Sequence, residues 1–206
     1  MENLNSMNST NEKDFSAFRI AFAIQKYIRP GSSVLDVGFG NCEMLKILTA
    51  PRLHCRYTGI DVDPECVSKA QKVISKCHLE SECTLLLGAD LESMQGQFDY
   101  CVCSRLIHHL PLREFRQTLE KMMLTLKPEG TLLLVDSIRD YRTRPDRFLY
   151  TPYSILNELS DLFPGYLFVI QPNPSCKIDV EDLWLQSIRF GERWIYSFVE
   201  KIRLKK

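Results

Sequence analysis

The chain has 206 residues, 45% of them hydrophobic, and 26 Lys plus Arg balance 26 Asp plus Glu to a formal net charge of zero. That length and apolar content supply one core without a staple, while the neutral balance argues against a broad nucleic-acid footprint and offers no charge argument for a membrane. No apolar run approaches the roughly 20 residues of a membrane span, and the eight cysteines show neither a Cys-x-x-Cys pair nor a zinc-type Cys-His spacing, so no metal is expected.

Residues 1–13 are rich in Asn and Ser and lack the apolar stretch of a secretory signal. They read as a disordered polar tail, with 14–206 as a single domain in a reducing cytoplasm. From Asp14, a candidate N-cap, Phe15, Phe18, Phe22 and Tyr27 recur near helical spacing until Pro30 and Gly31 stop the pattern. Residues 34–37 then make a short buried strand, Gly38 and Gly40 break it, and 43–49 read as a helix with Met44, Leu45 and Leu48 on one face. A strand, a glycine turn and a helix start together build a ligand site, because the backbone turns tightly and lets a ligand come close. A dinucleotide fold opens in the same way, but it wants Gly or Ala three residues after the second glycine, and Glu43 stands there.

A second strand, 56–60, closes on Asp61. Asp61 lies about 20 residues beyond Gly40, where a nucleotide-binding βαβ unit places the acid that takes ribose hydroxyls. An ionised carboxylate has only acceptor sites, so it can receive both protons of a cis-diol. Asp63 and Pro64 suit the N-cap and first position of a helix to about residue 76. A third strand at 83–87 ends at Asp90 and Leu91, and a fourth, 98–104, carries Cys101 and Cys103 as small core residues. A helix over 112–126, a turn at 127–130 and a fifth strand at 131–136 follow.

Residues 137–150 have no apolar period but hold Arg139, Arg142, Arg144 and Arg147, either as a solvated loop or as an anion-reading lid. Thr151 and Pro152 open a helix to residue 162, and strands are expected at 165–170 and 194–199. Between them, 171–191 mixes loop signals (Pro172, Pro174) with helical ones (Val180, Trp184, Ile188).

Asp36-x-Gly38-x-Gly40, the Phe98-Asp99 opening of an apolar strand that ends in His108-His109-Leu110, and the Leu126-Lys127-Pro128-x-Gly130 turn together resemble the class I S-adenosylmethionine-dependent methyltransferases over roughly 34–136. Cys42 departs from that family's third glycine. The alternation of strands and helices implies a Rossmann-like α/β fold, mostly parallel, with helices on both faces and ligands at the carboxyl ends of the strands. The resemblance adds seven strands, the last antiparallel. It implies S-adenosylmethionine as cofactor and direct methyl displacement onto a small-molecule acceptor. The alternatives are a protein or RNA acceptor, or a cofactor-binding interaction module without transferase activity. An Asn-Pro-Pro-Tyr tetrapeptide, which marks many amino-group-methylating relatives, is absent after the fourth strand.

On the same resemblance Asp36, Gly38, Phe39, Gly40, Asp61, Val62, Asp90, Leu91 and Ser104 hold the cofactor, with Asp90 taking the adenine amino group and Leu91 near the base. His108 and His109 are the candidate proton acceptors, since imidazole titrates near neutrality. Arg105 and Arg139 are the candidate readers of a carboxylate or phosphate. Cys42, at a helix start, is expected to have a lowered thiol pKa.

Overall fold

The computed structural model of the chain describes residues 24–88, 90–138, 152–164, 166–172 and 195–203. Its elements in order are β1 (Ser33–Val37), α1 (Glu43–Leu48), β2 (Arg56–Asp61), α2 (Pro64–Cys77), β3 (Cys83–Leu87), β4 (Phe98–Ser104), α3 (Leu112–Thr125), β5 (Leu126–Ile138), α4 (Pro152–Leu162), β6 (Tyr166–Pro172) and β7 (Ile195–Arg203). Short 3-10 turns lie at Gln25–Tyr27, Leu91–Met94 and Ile107–His109. The strands form one sheet in the order β3-β2-β1-β4-β5-β7-β6. β1 to β5 pair in parallel, as their crossovers require, and β7 pairs antiparallel with both β5 and β6.

The two-residue period of the central strands divides the core between the faces of the sheet. Val34, Tyr57, Tyr100, Val102 and Leu133 point to the side covered by α1 and α2, where Leu45, Leu48, Ala70 and Ile74 meet them. Leu35, Val37, Ile60, Cys101, Cys103, Leu132 and Leu134 point to the other side, against Phe115, Leu119 and Met122 of α3 and Ile155 and Leu159 of α4. All five residues of β1 are buried, as expected of a strand covered on both faces. The seven cysteines among the described residues are free. Asp63 caps α2, its Oδ1 accepting from the Glu65 backbone N–H at 2.8 Å, with Pro64 opening the helix. Arg116 of α3 forms an ion pair with Glu158 of α4.

Boundaries differ most from the sequence reading in two places. α3 stops at Thr125, and the expected turn at 127–130 is already part of β5, where a register shift opposite Phe98 and Tyr100 absorbs the irregular backbone. β7 extends to Arg203, beyond the expected 194–199. The polar tail at 1–13, most of the helix expected from Asp14, the arginine-bearing loop including Arg139, and 173–191 lie outside the described residues. No helix among the described residues is long and apolar enough to cross a membrane.

A polar clasp closes the edge of the sheet opposite the carboxyl ends of the parallel strands. Asp99 Oδ2 accepts from the Ser33 backbone N–H and hydroxyl, each at 2.8 Å, and Oδ1 accepts from Lys127 Nζ at 2.8 Å. Burial alone raises the Asp99 pKa, but the bonds from Lys127 and Ser33 and the Lys127 charge outweigh it and bring the carboxyl from 3.8 down to about 2. The clasp is therefore fully stabilising above the unfolded carboxylate pKa and is lost as pH falls toward 2. Asp99→Ala is expected to cost about 2 kcal/mol at pH 7 and much less near pH 2.5. Denaturant unfolding at the two pH values checks this.

Candidate functional site

A cavity of about 290 Å³ opens at the carboxyl ends of β2, β1 and β4. β1 has β2 on one side and β4 on the other, so the chain order reverses beside it, and this is where an open α/β sheet leaves a crevice. The turn 38–41 forms the floor, with Asp36, Val37, Ile60, Asp61 and Val62 from β1 and β2, Glu43 and Met44 from α1, and Ser104, Arg105, Leu106 and His109 after β4.

Two glycines shape it. Gly38 is left-handed at φ 74, where a side chain is strained, and a Cβ there would stand 3.1 Å from Leu106 Cδ2, close enough that the leucine would have to give way. Gly59, inside β2, lies under two aromatic rings: a Cβ would fall 2.7 Å from Phe39 Cδ1 and 2.9 Å from Tyr57 Cε1. It is this missing side chain that lets Phe39 lie across β2. An isolated glycine in a strand signals close approach, and that signal at Gly59 was readable in the sequence.

Asp61 ties the end of β2 to the glycine turn. Its Oδ2 accepts from the Gly40 backbone N–H at 2.9 Å, and Oδ1 accepts from the Asp63 N–H at 3.0 Å. Each oxygen has a second lone pair. Those two acceptor sites suit the adjacent hydroxyls of a ribose. Val62 beside it is 82% exposed, an apolar surface at the cavity wall.

Asp36 behaves differently because it is only 2% exposed. The Tyr57 hydroxyl donates to its Oδ2 at 2.8 Å. Burial pushes the carboxyl up, the Tyr57 bond opposes this, and the like charges of Asp61 and Glu43 add to the rise, leaving it at about 7. Tyr57, which the sequence did not mark as a site residue, is thus the partner of the most perturbed acid in the cavity.

The expectation of a lowered pKa for Cys42 is corrected. Its side chain is 1% exposed, and burial, reinforced by the Glu43 charge, pushes the thiol up to about 12. The backbone at Cys42 is left-handed at φ 66. That conformation explains the glycine of the family pattern, and a residue with a Cβ holds it at a cost of about 1–2 kcal/mol.

Asp36, Gly38, Phe39, Gly40, Asp61, Val62, Ser104, Arg105 and His109 all line the cavity. Asp90 and Leu91 do not: Asp90 is exposed and caps the next turn, its Oδ1 accepting from the Glu92 N–H at 3.1 Å, and Leu91 is buried in the core with α3. The 3-10 turn at Ile107–His109 separates the paired histidines. His109 is exposed at the cavity, whereas His108 is 6% exposed and does not line it, although their rings lie 4.1 Å apart. Arg105 is left-handed at φ 58, a conformation rare for residues with a side chain and often found at functional sites. Asn41, Glu43, Met44 and Leu106 also line the cavity and were not anticipated. No group of three or more His, Cys, Asp or Glu among the described residues could hold a metal ion.

A family model described as a methyltransferase domain matches residues 34–130. The ribosomal protein L11 methyltransferase of Thermosipho africanus (strain TCF52B) is 31% identical over 112 residues, 54% of this chain and 40% of that protein. The chain thus spans less than half the length of that curated relative. Among solved structures, phosphoethanolamine N-methyltransferase 2 of Haemonchus contortus, in complex with phosphomonomethylethanolamine and S-adenosylhomocysteine, has a TM-score of 0.69 at 14% identity, covering 90% of this chain and 52% of that one. The 4+2 cyclase SpnF has a TM-score of 0.70 at 14% identity, covering 92% of this chain and 82% of its own. Likeness at such identities shows the fold alone.

Proposed function

We propose that this chain, whose residues 34–130 match a methyltransferase-domain model, is a class I S-adenosylmethionine-dependent methyltransferase that transfers a methyl group to a small-molecule acceptor. The observation that carries this reading is the Asp61 carboxylate, bonded to the Gly40 N–H in the same crevice as the glycine turn. The cofactor fits these residues: Asp61 would take the ribose hydroxyls, Val62 and Phe39 the apolar faces, and the backbone of Gly38 to Gly40, with Asp36 and Ser104, the amino-acid end. Bound there, it supplies the transferable methyl on a sulfonium. The chain's part is to hold donor and acceptor in line and keep water out, and positioning of this kind contributes about 7 to 11 kcal/mol. Asp90 and Leu91 remain candidates for the adenine end only through the family pattern.

A second reading, a protein acceptor, is favoured by the identity to the L11 methyltransferase. The neighbour bound to phosphomonomethylethanolamine supports the small-molecule reading, and SpnF, a 4+2 cyclase, favours a similar fold put to a different use. Calorimetry with S-adenosylhomocysteine and with nicotinamide dinucleotides, then methyl release against pooled small molecules and a cell protein fraction, separates these readings. Dinucleotide binding without S-adenosylhomocysteine binding would overturn the assignment.

If a side chain takes a proton from the acceptor, it is His109 rather than His108, because only His109 lines the cavity. His109→Ala is expected to lower turnover about 100-fold at unchanged cofactor affinity and to remove the acid limb of the rate profile. His108→Ala should instead lower unfolding stability. Equal turnover in the wild type and His109→Ala would leave alignment alone as the mechanism.

Cys42→Gly relieves left-handed strain but gives up a buried thiol side chain and adds chain entropy, so its stability should stay within about 1 kcal/mol of the parent. S-Adenosylhomocysteine should bind it at least as tightly, as calorimetry would show. A large loss of affinity would mean that the thiol contributes to the site.

A further inference from the structure

We infer that Arg105 reads an anionic group, a carboxylate or a phosphate, on the acceptor, so that the substrate of this site is an acidic small molecule. The inference rests on the methyltransferase reading of the cavity and deepens it. Charge is segregated along the cavity: Asp61, Asp36 and Glu43 come from β2, β1 and α1, whereas Arg105, the only Lys or Arg among the described lining residues, follows β4. β2 and β4 flank β1, two strand spacings or about 10 Å apart. On the methyltransferase reading the acids lie on the side given to a cationic cofactor, and Arg105 lies across β1 from Asp61, on the side left for the acceptor.

Arg105 is half-buried, yet no hydrogen bond or ion pair among the described residues engages it, in contrast to Arg116 and Lys127, which have carboxylate partners. A partly desolvated guanidinium with five N–H donors is suited to a planar or tetrahedral anion held in bidentate fashion. Its backbone is also set in place. Arg105 is held left-handed between the end of β4 and Leu106, whose side chain is wedged over Gly38.

The test uses the full chain loaded with S-adenosylhomocysteine and titrates pyrophosphate and succinate by calorimetry into wild type, Arg105→Gln and Arg105→Lys. At least one probe is expected to bind wild type and to bind Arg105→Gln about tenfold or more weakly, with Arg105→Lys in between, since a lysine keeps the charge and loses the fork. Affinities for S-adenosylhomocysteine and for 5′-methylthioadenosine, which lacks the amino-acid tail, should not change. Absence of probe binding to loaded wild type, or equal binding to Arg105→Gln, overturns the inference. So does a loss of S-adenosylhomocysteine affinity in Arg105→Gln with 5′-methylthioadenosine unaffected, which would place the guanidinium on the cofactor's own carboxylate. A wild-type chain that fails to bind S-adenosylhomocysteine brings down the methyltransferase reading, a result distinct from the others.

Discussion

Asp61→Ala should weaken S-adenosylhomocysteine binding by about 1.5 to 3 kcal/mol, roughly tenfold to 100-fold, the size expected for hydrogen bonds to a charged group. The structure adds a second source of loss. Asp61 Oδ2 also holds the Gly40 N–H, so the substitution leaves the floor of the cavity untied as well as the ribose unread. Asp61→Asn distinguishes the two, because an amide oxygen can still accept from the Gly40 N–H but carries no charge and only one acceptor oxygen. An affinity for Asp61→Asn close to wild type would assign Asp61 to the turn alone. Unchanged affinity in Asp61→Ala, with the protein still folded, would remove Asp61 from the site. Calorimetry, with circular dichroism to verify folding, gives both answers.

The second large effect belongs to Asp36. Its folded pKa is raised from 3.8 to about 7, by burial first and then by the Asp61 and Glu43 charges, against the Tyr57 bond. Between these values the unfolded chain has released a proton that the folded chain keeps. Stability is therefore fully present below about pH 4, falls as pH rises, and levels off above about pH 7, a loss on the order of 4 kcal/mol. Asp99 does not confuse this window, because its contribution varies only at lower pH. Asp36→Asn retains an acceptor for the Tyr57 hydroxyl and has nothing to ionise. It should abolish most of the slope and be the more stable protein at pH 8. Denaturant midpoints at pH 5 and pH 8 for both proteins measure this, and parallel profiles would show that Asp36 ionises freely in the folded state.

The cavity thus holds two acids of different kinds. Asp61 is half-buried and makes two backbone bonds, which suits a group that binds a ligand by hydrogen bonding. Asp36 is enclosed and paired with a tyrosine, which suits a group whose charge depends on what enters the cavity. Their identical side chains gave no hint of this division. Position relative to the sheet produces it: Asp36 lies within β1, covered on both faces, whereas Asp61 stands at the tip of β2.

By itself the sequence determined what depends on local spacing. The two-residue alternation of the strands and the apolar stripes of α2 and α3 specify which faces must be buried, and Gly38 with Gly40 marks the only sharp turn between a buried strand and a helix at that point. The interval from Gly40 to Asp61 likewise followed from the length of one βαβ unit, and the structure closes it with a hydrogen bond. What the tertiary structure decided depends on neighbours distant in the chain or on the phase of a short turn. That His109 lines the cavity while His108 is buried is set by one 3-10 turn, which turns adjacent residues about 120° apart. Asp90 does not line the cavity, and its carboxylate bonds its own backbone two residues on, a use open to any turn aspartate. The thiol of Cys42 rose instead of falling because burial outweighs a helix start when the side chain is enclosed. Burial is a property of the packed sheet and its helices, and no spacing along the chain encodes it.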